Sequence, residues 1–149
     1  MRAGSKSAQE GMTLIEVLVA LLILTVGLLG AAAVQLNALK YTDSSRMASQ
    51  ASFIAYDMMD RIRANSAADY TVSPPASGNL SVARDQDLYD FTTNITSFGG
   101  PTATGTITLN QRVYTITITW SDARAANAAT AQRSFVLTSR AAVDPVATP

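Results

Sequence analysis

The chain has 149 residues, a formal net charge of zero, and neither histidine nor cysteine. It therefore lacks the commonest general base, the commonest metal ligands, any thiol nucleophile and any disulfide. Arg46, Arg84, Arg112, Arg124, Arg133 and Arg140 are scattered rather than gathered into a stripe, which argues against a nucleic-acid face. The length suits about one domain. With no phosphate loop and no triad in view, neither an enzyme nor a cofactor, metal site or small-molecule substrate is expected.

Residues 1–11 are short, polar and basic, with Arg2 and Lys6 placed ahead of a long apolar run. Glu16 is the only charge in the first turn of that run, and from Val17 to Leu39 no side chain is ionisable. Read as a helix rising about 1.5 Å per residue, this segment spans roughly 35 Å, enough to cross a hydrocarbon core of about 30 Å. A removable signal sequence has an apolar core of about 7–15 residues followed by small residues. Ala31-Ala32-Ala33 supplies small residues, but the run continues through Val34 and Leu36 to Leu39. Basic residues before the run and few charges after it put the N-terminus in the cytoplasm and the body on the far side of the membrane. A carboxylate just inside such a segment is costly and needs a partner.

The run Gly11-Met12-Thr13-Leu14-Ile15-Glu16-Val17-Leu18-Val19-Ala20 resembles the processing site of type IV pilins and their relatives. The resemblance is close over about residues 10–40 and weaker beyond. It implies that a prepilin peptidase cuts between Gly11 and Met12, methylates the new amine of Met12, and removes 1–11 as a leader. Glu16 then becomes the fifth residue of the mature chain. Thr13 and Glu16 would act in assembly with other major and minor pilins. The body would lie in the periplasm on an inner-membrane stem, and later at the cell surface on a pilus.

The spacing has its own physical logic. Glycine before the scissile bond lets extended backbone enter a narrow site without a side chain to clash. Glu16 lies four residues beyond Met12, so on a helix its carboxylate projects on the amine's side. Burying either charge alone costs several kcal/mol, roughly, so a filament of packed apolar helices would pair Glu16 with a neighbour's amine in one stagger only. Gly27 and Gly30 would let helices approach closely. Many major pilins carry a proline in the stem where this chain has Ala33. Loss of Arg2, Lys6 and Glu10 with the leader leaves nine basic and ten acidic side chains, a net charge of −1.

Beyond Leu39, Met47, Ala51, Ile54, Met58 and Ile62 continue at spacings of three and four, so one helix is expected from about Met12 to Ala64, apolar over 12–39 and amphipathic over 40–65. Asp57 and Arg61 make an i, i+4 pair. Tyr41-Thr42-Asp43-Ser44-Ser45 is the weak point, since short polar side chains compete for backbone bonds. Asn65-Ser66 supplies the stop through a left-handed asparagine. Met58-Met59-Asp60-Arg61-Ile62-Arg63-Ala64-Asn65 resembles the end of the long helix in PilV-type minor pilins. A minor pseudopilin of type II secretion would show the same processing site. A reading of another class is an unprocessed, membrane-anchored periplasmic binding module.

Residues 66–103 carry turn signals at Ser73-Pro74-Pro75, Ser77-Gly78-Asn79 and Gly99-Gly100-Pro101, with a short helix expected near Leu88. This region is the candidate for partner contacts. Asp85, Asp87 and Asp90 lack the glycine and closing glutamate of a calcium loop and read as a solvated loop. From Thr104 the period changes to two. Ile107 and Leu109 mark one strand, Tyr114, Ile116, Ile118 and Trp120 a second, and Phe135 and Leu137 a third near 133–140. Asn110-Gln111 forms the first turn and 122–127 the second loop. The fold expected is α+β and pilin-like: a long N-terminal helix whose upper half covers a small antiparallel sheet over 104–141, followed by a loose tail, 142–149.

Overall fold

The computed structural model describes residues 13–123 and 131–141. Its elements are α1 (Leu14–Ala64), α2 (Ala83–Gly99), β1 (Thr104–Asn110), β2 (Val113–Ser121) and β3 (Gln132–Arg140). The architecture is α+β, a long helix followed by a three-stranded antiparallel sheet in the order β1-β2-β3. The chain divides between Leu39 and Lys40 into two units, and α1 contributes to both. Gly11, Met12, residues 124–127 of the second loop and the tail lie outside the described residues.

In the first unit α1 opens at Thr13, whose carbonyl accepts the amides of Glu16 at 3.0 Å and Val17 at 3.3 Å. Every large apolar side chain from Leu14 to Leu39 is exposed, Leu14 by 80% and Leu29 by 71%. The one hydroxyl in the middle of this stem is satisfied internally: Thr25 Oγ1 donates to Leu22 O at 2.8 Å. A helix whose backbone groups are bonded within itself is the form that hydrocarbon tolerates.

In the second unit the Tyr41–Ser45 stretch stays helical because its hydroxyls find acceptors without unwinding the backbone. Ser45 donates to Tyr41 O at 2.9 Å, and Ser44 to the carboxylate of Asp122 at 3.0 Å. The buried face of α1 is Ala51, Ala55, Met58, Met59 and Ile62, with Met47 and Ile54 partly covered. It forms one core with Leu88, Phe91 and Ile95 of α2 and with Tyr114, Ile116, Ile118 and Trp120 of β2. The helix does not stop through a left-handed Asn65. Among the described residues the only non-glycine residues with positive φ are Gln111 and Arg112. Asn65 instead bonds its amide to Arg61 O at 3.1 Å and turns its side chain to the Tyr70 hydroxyl at 3.3 Å.

The short helix expected near Leu88 is the seventeen-residue α2. It ends where Gly100 takes φ +82° and returns its amide to Thr96 O at 2.9 Å. Gly105 of β1 is a packing requirement: a Cβ there would overlap Ile95 Cδ1 and sit 2.6 Å from Phe91 Cε1. Side chains alternate across the sheet, and the outer face is a field of hydroxyls. Thr104 pairs with Thr119, Thr106 with Thr117, and Thr108 with Thr115.

The first hairpin turns one residue later than expected. Asn110 pairs with Val113, and the two-residue loop is Gln111-Arg112, at φ 48° and 65°. Positive φ at both central residues is the mirror-image turn that suits strand twist, and asparagine-glycine is its preferred content. Gln111→Asn with Arg112→Gly is therefore expected to stabilise the fold by about 1 kcal/mol, since neither side chain favours that backbone. Thermal or urea denaturation of the double variant checks it, and an unchanged midpoint would rule out strain in the turn.

Candidate functional site

The stem places its expected functional residues along one exposed helix. Thr13 and Glu16 stand at its first turn, with Glu16 in solvent. Gly27 and Gly30 lie in its middle, where an added Cβ meets nothing within 4 Å. At about 1.5 Å per residue Glu16 and Gly27 are roughly 16 Å apart, so within one chain they do not form a site together.

The second cluster was not visible as such in the sequence. Asp87 and Asp90 are not part of a solvated loop; they face Arg61 across the junction of α1 and α2. Arg61 Nη1 bonds Asp87 Oδ1 at 2.8 Å and Asp90 Oδ2 at 3.2 Å, while Nε bonds Asp57 Oδ2 at 2.9 Å. Asp85 is paired with its neighbour Arg84 at 2.7 Å. Among the described residues no acidic group is arranged to hold a metal ion. The Asp87 bond, helped by the Asp57 and Asp87 charges and opposed by burial, raises the Arg61 pKa still further above its ordinary value.

Tyr70, fully buried, donates its hydroxyl to the other oxygen of Asp87 at 2.8 Å. Burial first, and then this bond, push its pKa up to about 12. The folded state thus holds the proton more tightly than the unfolded chain. The stability tied to it is intact below pH 10 and is lost as pH climbs toward 12. A rise of that size corresponds to about 2.7 kcal/mol at most. Denaturation midpoints measured from pH 9 to 12 should fall in wild type and fall less in Tyr70→Phe. Tyr114, raised by burial and then by the Asp69 charge, accounts for a remaining drop of the same sign.

A third polar tie was also missed. Asp122 is 5% exposed, accepts Ser44 Oγ from α1, and receives a very short bond from Arg133 Nε of β3. Its amide bonds Ala131 O at 2.9 Å. The end of β2 is thereby tied to the start of the body's stretch of α1. The signal was present in the sequence only as an unpaired aspartate after Trp120.

With this geometry in place, the comparison with known families bears on the stem. Residues 6–32 match the model of the prokaryotic N-terminal methylation motif. The match covers Gly11, Met12, Thr13, Glu16, Gly27 and Gly30 and supports a type IV pilin-like family, pseudopilins included. Together with an apolar helix long enough to cross a bilayer, it points to membrane anchoring and to processing by a prepilin peptidase. No curated protein and no solved structure matches the chain.

Proposed function

We propose that the chain is a minor pilin of the PilV type that takes part in type IV pilus assembly. The observation that carries this is the methylation motif seated at the head of a wholly exposed apolar stem. Cleavage after Gly11 leaves a positive amine on Met12, and Glu16 is the only ionisable group in the first turns of the stem. In a dry bundle of stems that carboxylate is tolerated when it meets a neighbour's amine, and the pairing fixes the stagger of the subunits. Thr13 opens the helix beside it, and Gly27 and Gly30 let stems approach. The resemblance of 58–65 to the PilV type favours a pilus over a secretion filament. A periplasmic body, an inner-membrane stem and contacts with major and minor pilins complete the reading.

Mass spectrometry of the protein from its host should find N-methylated Met12 as the first residue. Glu16→Ala should leave cleavage intact and reduce the protein's share of purified pili at least tenfold. A chain that keeps residues 1–11 and is absent from pili would overturn the proposal and return the protein to an anchored binding module. Recovery in secretion filaments instead would make it a pseudopilin.

A further inference from the structure

The sheet has two outer edges, and their chemistry differs. β3 carries Arg133 and Arg140 near its ends, and Arg63 of α1 reaches over to Ser139 Oγ at 2.8 Å and Arg140 O at 3.5 Å. Charged side chains and a covering contact are the usual means of closing an edge. β1, Thr-Gly-Thr-Ile-Thr-Leu-Asn, has no charge at all. Among the described residues its backbone pairs with β2 alone. The segment 70–74, α2 and residues 105–108 of β1 together line a groove of about 310 Å³, whose apolar lining includes Val72, Leu88, Phe91 and Ile107. A second hollow continues past Leu109 to Asp69. Asp69 is an exposed carboxylate held in place by the Thr71 amide at 2.8 Å and the Thr71 hydroxyl at 2.6 Å.

We infer that this groove takes one extended strand from a partner protein, which adds to β1 as a fourth strand. The unpaired amides and carbonyls of β1 supply main-chain bonds, and the alternation of side chains sets the specificity. One set of partner side chains, small or apolar, faces Phe91, Leu88 and Ile107. The other set lies beside the hydroxyls of Thr104, Thr106 and Thr108. A basic residue at the end of the strand meets Asp69, among the described residues the one charged side chain lining the two hollows. The β1 of another copy carries no charge to meet Asp69, and its β3 edge is covered by Arg63, so the occupant is a donated strand and not another copy's body. This inference concerns the body and is independent of the stem's role in a filament.

A suitable probe is a synthetic peptide of Gln132–Arg140, which puts Phe135 and Leu137 on one face of an extended strand and has an arginine near each end. It is titrated into the full chain in detergent micelles while amide hydrogen exchange is followed residue by residue. The expected result is that alternate amides of β1, the set not bonded to β2, slow at least tenfold. The same peptide with Arg133→Glu and Arg140→Glu should bind at least tenfold more weakly. Asp69→Asn, which keeps an acceptor for Thr71, should weaken binding of the first peptide about threefold. Protection elsewhere or nowhere, or affinity that ignores the peptide's charge, overturns the inference. Concentration-dependent protection of β1 without peptide also overturns it, by giving the edge to a second copy.

Discussion

Arg61→Ala is expected to lower the unfolding free energy by about 2 kcal/mol, less than for a fully buried pair because Arg61 and Asp90 are each 34% exposed and partly screened by solvent. Arg61 answers three carboxylates with one guanidinium, a geometry that suits its planar fork. Asp87 is the member that cannot relax, since its side chain is only 15% exposed and its second oxygen is already committed to Tyr70. With alanine at 61, Asp87 keeps one neutral donor and gains two unneutralised neighbours. Urea denaturation followed by circular dichroism measures the loss, and hydrogen exchange should show α2 opening before the sheet. Adding Asp87→Asn should recover part of the loss, because the stranded charge is then gone. Arg61→Lys should fall between, as an ammonium cannot fork. The Asp60–Arg63 pair makes the contrast: it is as short, 2.9 Å, but 71% and 43% exposed, so breaking it should cost under about 1 kcal/mol. A loss that small at Arg61 would show the cluster to be screened by solvent.

The apolar stem and the three strands are legible in the sequence because each depends on a single period. An uncharged run from Val17 to Leu39 has one reading in helix, and Tyr114-Thr-Ile-Thr-Ile-Thr-Trp120 has one in strand. What escapes is set by pairings between distant residues. α2 lacks a start signal, since Val82 at its N-cap has no capping side chain, and Thr92, Thr93 and Thr96 weaken its helical signature. Two of those threonines bond back to the helix, Thr92 to Leu88 O at 3.0 Å and Thr96 to Thr92 O at 3.1 Å, so the tertiary burial of Leu88, Phe91 and Ile95 prevails. The same holds for Asp122, whose partners Ser44 and Arg133 are 78 and 11 residues away. Glu16 is the reverse case: the residue is plain in the sequence, but its partner lies on another chain in the proposed filament.

Trp120→Ala should cost about 4 kcal/mol, while Trp120→Phe should cost about 1 kcal/mol or less. Trp120 is 2% exposed and lies edge-on to Phe98, with ring centroids 5.5 Å apart and planes inclined by 62°. Gly99 lies so close that a Cβ there would stand 3.0 Å from the Trp120 Cβ, so alanine at 120 would leave a void where the indole now fills the junction of α2 and β2. The two α2 residues beside it are held by the helix end and cannot follow the missing ring inward. Phenylalanine behaves differently for a reason specific to this site. The indole Nε1 is buried and, among the described residues, has no hydrogen-bond partner. An orphaned donor carries a desolvation penalty of about 1–3 kcal/mol, which offsets much of the contact area that the smaller ring gives up. The measurement is urea denaturation of the three forms by circular dichroism, because the chain has one tryptophan and both variants remove its fluorescence. If phenylalanine were as damaging as alanine, the indole nitrogen would have to hold a bond that matters, and the corner of the fold would rest on polarity rather than on volume.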